Sequence, residues 1–186
     1  MTSDDLLAAV PPTEPWTEQH WRGRPHDGRR YEILDGALLI SPPASPLRQE
    51  VVHRLMALLA QAVPPGAAVV RDVGVVLGAS LLAPDVVVLR SRPEAASVSA
   101  DQVLLVAEVS DGANVTTAAT TTPLLLAAAG VPAYWRVEPH AGPAVVLHRL
   151  AADAYSVEGR LRDEQTQTVT TPFQVTITPR RLMPPR

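Results

Sequence analysis

The chain has 186 residues, 46% of them hydrophobic, enough for one compact domain with a sizeable core and short tails. It has no cysteine, which excludes disulfides, thiolate metal sites and a cysteine nucleophile. The net charge is −3 and all 16 basic residues are arginine, so a global basic footprint is absent, any nucleic-acid contact is local, and no lysine is available as a tunable base.

In chain order, Ser3 caps an expected short helix over residues 4–9, ended by Pro11-Pro12. Its acids stand where a secretory signal needs positive charge, and no apolar run reaches the length of a membrane span, so the expectation is a soluble cytoplasmic protein without membrane contact. A connection bearing Trp16, Trp21 and Pro25 follows, its tryptophans read as packing on the domain. Residues 31–34 and 37–40, joined by Asp35-Gly36, predict a β-hairpin, because Asp-Gly supplies the positive φ angles of a type I′ turn. From Ser45 to Val63 apolar residues recur at helical spacing until Pro64-Pro65-Gly66 stops the helix. Strand-like runs come next at 68–71, 73–77, 85–89 and 103–109. A second helix is expected over 115–129, weak in its Thr-rich half and interrupted by Pro123, then a strand at 134–137. Residues 145–150 and 154–157 read as a closing hairpin, and 169 and 173–177 as further strand.

Two acids stand out against this pattern. Asp85 and Glu108 lie at the ends of apolar runs, where an ionised carboxylate is costly unless a cation or donors offset its desolvation. If the runs pair, the acids converge, and an oxygen-rich pair of this type suits Mg²⁺ and phosphodiester hydrolysis. The alternative is that Pro-Asp merely starts a strand and that Glu108 is a solvated strand end.

The order Tyr31-Glu32-Ile33-Leu34-Asp35-Gly36, Ser41-Pro42-Pro43, Pro84-Asp85-Val86-Val87-Val88, Glu108-Val109-Ser110 and Gly130 to Val137 resembles the Uma-two family of restriction-endonuclease-like proteins, within the PD-(D/E)xK nuclease superfamily. The resemblance spans about residues 17–180, leaving 1–16 as an N-terminal segment and 181–186 as a tail. It implies an α/β (α+β) domain, a central mixed sheet flanked by helices with an N-terminal β-hairpin. It also implies a metal site at Asp85, Glu108 and Val109, with Asp85 and Glu108 catalytic, Mg²⁺ as cofactor and DNA as substrate. The sequence departs from the family pattern in four places: Ala37 stands for a glutamate, Arg48 for a histidine, Ala118 for an acid and Thr122 for the lysine. Loss of one preorganised charge-stabilising group typically costs about two to three orders of magnitude in rate.

Arg48 falls on the helix stripe of Val51, Val52, Leu55 and Leu59, and Glu50 and His53 point away from it. Either its guanidinium reaches Asp85 or Glu108 as a charge substitute for the metal, or it snorkels from the first turn into water. The five histidines show no i, i+4 pairing and predict no zinc site. Ser110-Asp111-Gly112 reads as a turn and not a nucleophile elbow. Glu32 and Asp35 are further carboxylates that could join the centre, and whether the side of the hairpin that carries Glu32 faces the cleft is open. Two readings of the chain follow: a Mg²⁺-dependent endonuclease with a degraded site, or a catalytically silent nuclease-fold module for binding or assembly. DNA and a second copy paired through an edge near 145–150 are the partners in view.

Overall fold

A computed structural model describes residues 14–110, 120–140 and 142–185. The expected helix over 4–9, Asp111 of the turn, Ala118 and the first part of the expected helix at 115–129 lie outside the described residues. A short helix α1 (Glu18–Arg22) occupies the connection before the hairpin.

Strands β1 (Arg30–Leu34) and β2 (Ala37–Ser41) form the hairpin, with Leu34 opposite Ala37. Asp35 and Gly36 both take positive φ, 48° and 78°, as a two-residue loop of this kind requires. Helix α2 (Pro46–Ala60) begins at Ser45, whose side chain accepts from the Arg48 N–H. It buries Val51, Val52, Leu55 and Leu59. Strands β3 (Ala68–Val70), β4 (Gly74–Leu77), β5 (Ser80–Leu82), β6 (Val86–Leu89), β7 (Ser97–Ser99) and β8 (Val103–Val109) follow. After helix α3 (Thr122–Ala128) come β9 (Ala133–Glu138), β10 (Ala144–Ala151), β11 (Ala154–Arg162), β12 (Gln167–Val169) and β13 (Val175–Ile177).

The central sheet is mixed and six-stranded, in the order β11-β10-β9-β8-β6-β3, with β8 and β9 parallel and the other pairs antiparallel. A second sheet, β2-β1-β5-β4-β7, carries the hairpin, and β12-β13 form a small third ladder. Both β6 and β8 run through the middle of the central sheet, which explains their near-continuous apolar sequence: each face is covered. On one face, Val86, Val88, Leu105 and Ala107 pack with helix α2. On the other, Val87, Leu89, Val103 and Val106 meet Val75, Leu77 and Leu82 of the second sheet, with Leu126 of α3. The outcome is an α+β fold of mixed sheets with few helices.

Several expectations change. A π-helical turn at Thr120 and Thr121 leads into α3, whose first turn holds Pro123, and the earlier part of the helix that Pro123 is expected to interrupt lies outside the described residues. The segment read as an edge near 145–150 is interior, because β10 pairs with β9 on one side and β11 on the other. Among the described residues, the outer strands of this sheet are β11 and β3. The segment read as a tail places Leu182 and Met183 in the core. Strands β5 and β7 are too short, at three residues each, to show a period in the sequence. No described helix is long and apolar enough to cross a membrane.

Trp21 anchors the hairpin. Its indole N–H donates to the Tyr31 carbonyl at 2.6 Å, and its ring lies against Gly74, where an added Cβ would sit 2.9 Å from the indole edge. A glycine is needed there for the two elements to approach.

Candidate functional site: a carboxylate cluster filled by arginine

Strand alternation sets the site. Asp85 immediately precedes β6, two residues before Val87, and Glu108 lies two residues after Val106 in β8. Both therefore belong to the face that looks toward the second sheet. The antiparallel pairing of β6 with β8 opposes Val86 to Ala107, which brings the two acids to the same end of the ladder. On the facing strand β1, Arg30 and Glu32 share one side, while Tyr31 and Ile33 pack on the other with Trp21 and Leu81. The acids and Arg30 thus meet between the sheets, and Arg48 enters from the first turn of α2.

The contacts are dense. Arg30 bridges the two acids: Nη2 donates to Asp85 Oδ1 at 2.6 Å, and Nη1 donates to Glu108 Oε2 at 2.9 Å and Oε1 at 3.2 Å. Arg48 forks onto Asp85, Nε to Oδ1 at 3.0 Å and Nη2 to Oδ2 at 2.9 Å, and its Nη2 lies 3.7 Å from Glu108 Oε2. The Val109 N–H donates to Asp85 Oδ2 at 2.7 Å. Glu32, also buried, accepts from the Ala83 N–H at 3.0 Å. Glu108 is 1% exposed and Arg48 5%, so Arg48 does not snorkel into water.

Three carboxylates face two guanidiniums, and the five groups sum to −1 when all are ionised. Burial pushes the Glu108 carboxyl up to about 8, with Arg30 pulling it down and Asp85 and Glu32 pushing it further up. Burial likewise raises Glu32, against the pull of Arg30. For Arg30, burial works to lower the pKa, yet the fields of Glu108 and Asp85 outweigh it and hold the group above the ordinary arginine value. One proton on the glutamates makes the cluster neutral.

Does this donor set suit Mg²⁺? The ion needs carboxylate oxygens at about 2.0–2.1 Å and room for its waters. Here all four oxygens of Asp85 and Glu108 already accept hydrogen bonds, and two guanidinium heads fill the space between them. Among the described residues no three His, Asp or Glu side chains gather closely enough to hold a metal ion. The residues present do not fit the group.

Of the residues singled out in the sequence, Asp85, Glu108, Arg48 and the Val109 backbone come together; Val109 contributes its N–H to Asp85. Ala37 lies across the hairpin from Leu34, at the turn. Thr122 is buried in α3. Ser110 is buried and has no histidine partner among its hydrogen bonds, and its N–H donates to the Val137 carbonyl. His148 is half-buried and contacts the Tyr134 carbonyl. Sequence reasoning missed Arg30. Its signal was the alternation Arg30-x-Glu32 in a strand whose other face is apolar, which puts a cation beside the acid whose face was open.

Arg30, Arg48 and Asp85 of the cluster line a cleft of about 690 Å³ whose lining also includes Arg22, Arg24, Arg29 and Arg71. Arg24 stacks on the Trp21 ring at 3.4 Å. Asp72 and Asp85 are the acids in that lining.

This combination of a mixed central sheet, two converging acids and a cleft above them defines a nuclease-like fold. A crystal structure of a protein described as "a putative nuclease belonging to DUF820" from Anabaena variabilis ATCC 29413 is similar to this one, with a TM-score of 0.68 and 17% identity over 85% of this chain and 90% of that one. The family model Uma2, described as "putative restriction endonuclease", matches residues 18–180, and the chain belongs to that family. No curated protein matches the chain.

Proposed function

We propose that this chain is a nuclease-fold binding module that holds a nucleic-acid backbone in its arginine-walled cleft and does not cut it by Mg²⁺-dependent hydrolysis. The observation that carries the reading is the saturation of Asp85 and Glu108 by Arg30, Arg48 and the Val109 N–H. Arginine stays protonated at any working pH and cannot activate water, and the chain has no lysine to take that part. Outside the cluster, Arg22, Arg24, Arg29 and Arg71 line the cleft and support phosphate contact, since planar guanidinium forks match phosphate oxygens and can exchange their solvent-accessible partners Glu18, Asp27 and Asp72 for them. With a net charge of −3 the attraction is confined to this surface.

The test combines calorimetric titration of Mg²⁺ and Mn²⁺ with binding and cleavage of labelled single- and double-stranded DNA. The wild type is compared with Asp85→Ala/Glu108→Ala. The expected result is no metal binding, no cleavage, and DNA affinity that falls steeply with salt, with a log–log slope of about −0.9 per phosphate contact on duplex. Metal-dependent cleavage that disappears in the double variant would instead establish the endonuclease.

A further inference from the structure

We infer that Arg30 and Arg48 together stand in for a divalent cation, with Arg30 as the bridging group, so that deleting Arg30 turns the cluster into a Mg²⁺-responsive site. The inference rests on the reading that the wild-type cluster takes no metal. Three features carry it. The first is charge: two guanidiniums supply the +2 that one divalent ion would bring to the same acids. The second is geometry. Arg30 reaches Asp85 with one nitrogen and Glu108 with the other, which is the bridging relation a shared ion makes, while Arg48 forks onto Asp85 alone at short range.

The third feature is that two of the three acids also accept from backbone N–H groups. Asp85 is pinned by the Val109 N–H, at the end of β8 where it pairs with β9, and Glu32 by the Ala83 N–H, from the residue that follows β5. Glu108 projects from the middle of the central sheet, on a strand paired at both edges. Loss of the Arg30 guanidinium therefore leaves Asp85 and Glu32 held by backbone N–H groups and opens a space beside Glu108, whose carboxylate keeps only the longer approach of Arg48. Arg30, Arg48 and Asp85 all line the cleft, so hydrated ions have a route to that space. With Arg48 alone facing three carboxylates the cluster is short of positive charge, and a hard cation with oxygen preference is the ligand that its chemistry recruits.

The experiment measures thermal unfolding and calorimetric Mg²⁺ binding for the wild type, Arg30→Met and Arg30→Met/Glu108→Gln, with NaCl at matched ionic strength as the reference. The wild type should show no Mg²⁺-specific shift. Arg30→Met should unfold at lower temperature and regain about 5–10 °C at a hundredfold excess of Mg²⁺ over its Kd, a response the double variant largely loses. If Arg30→Met folds cooperatively yet shows no Mg²⁺ response, or if Glu108→Gln leaves that response intact, the inference fails. Should Arg30→Met be unfolded alone, refolding on adding Mg²⁺ supports the inference. If it stays unfolded in Mg²⁺, Arg48→Met is measured the same way, and absence of a Mg²⁺ response there overturns it. Mg²⁺ binding by the wild type with affinity unchanged in Arg30→Met defeats both this inference and the functional reading; a silent wild type with an unresponsive variant defeats the inference alone.

Discussion

Strands β6 and β8 run from an apolar body, where Val86, Val87, Val88, Leu105 and Val106 are fully buried, into an ionic end where Asp85 and Glu108 meet Arg30 and Arg48. The two regions share a ladder and a degree of burial, yet they are held by different forces. The apolar body gains from area removed from water, a non-directional contribution that each side chain makes nearly by itself. At the ionic end each group is tolerable only because its partners are present, since a buried charge without a partner is strongly destabilising while a complete pair is close to neutral. The site is therefore interdependent where the core is additive.

The largest effect should come from splitting the ionic end. Arg30→Met should cost about 3–5 kcal/mol in urea unfolding in the absence of Mg²⁺, whereas Arg30→Met/Glu108→Leu should recover much of that loss. Equal losses in the two variants would erase the distinction between the regions. Next, Leu59→Ala, fully buried in the core at the far end of α2 from Arg48, should cost about 3 kcal/mol. Combined with Arg30→Met its effect should add to within about 0.5 kcal/mol, the behaviour of independent sites; strong coupling would mean that core and cluster act as one unit.

A smaller effect concerns pH. Folding raises Glu108 from its ordinary 4.5 to about 8, so between those values the folded protein holds a proton that the unfolded chain has released. This contribution to stability is fully present below about 4.5, is lost as pH rises toward about 8, and is flat above that. Unfolding free energies measured across this window should decline for the wild type, and Glu108→Gln should flatten the decline; an unchanged slope in the variant would assign it to another group. The smallest effect is Ser45→Ala, which removes the cap on the Arg48 N–H and should cost about 1 kcal/mol. Because this cap fixes the turn that aims Arg48, a loss well above that figure would show that the cap also serves the cluster.

Much of the fold was legible in the sequence because it depends on neighbours in the chain. The Asp35-Gly36 hairpin follows from positive φ at two adjacent residues, and α2 from a serine cap and a 3.6-residue apolar period. The apolar runs at 86–89 and 103–109 declared buried strands, and their pairing brings the acids at their ends together. The inward direction of Arg48 was also readable, since helix geometry assigns its face. What occupies the space between Asp85 and Glu108 was decided by tertiary structure alone. Arg30 lies 78 residues from Glu108 and 55 from Asp85, on a strand of a different sheet, and local alternation says which side it shares with Glu32 but not what that side faces. That answer comes from packing the second sheet against the central one, which sets a second guanidinium across the two acids and makes the centre ionic.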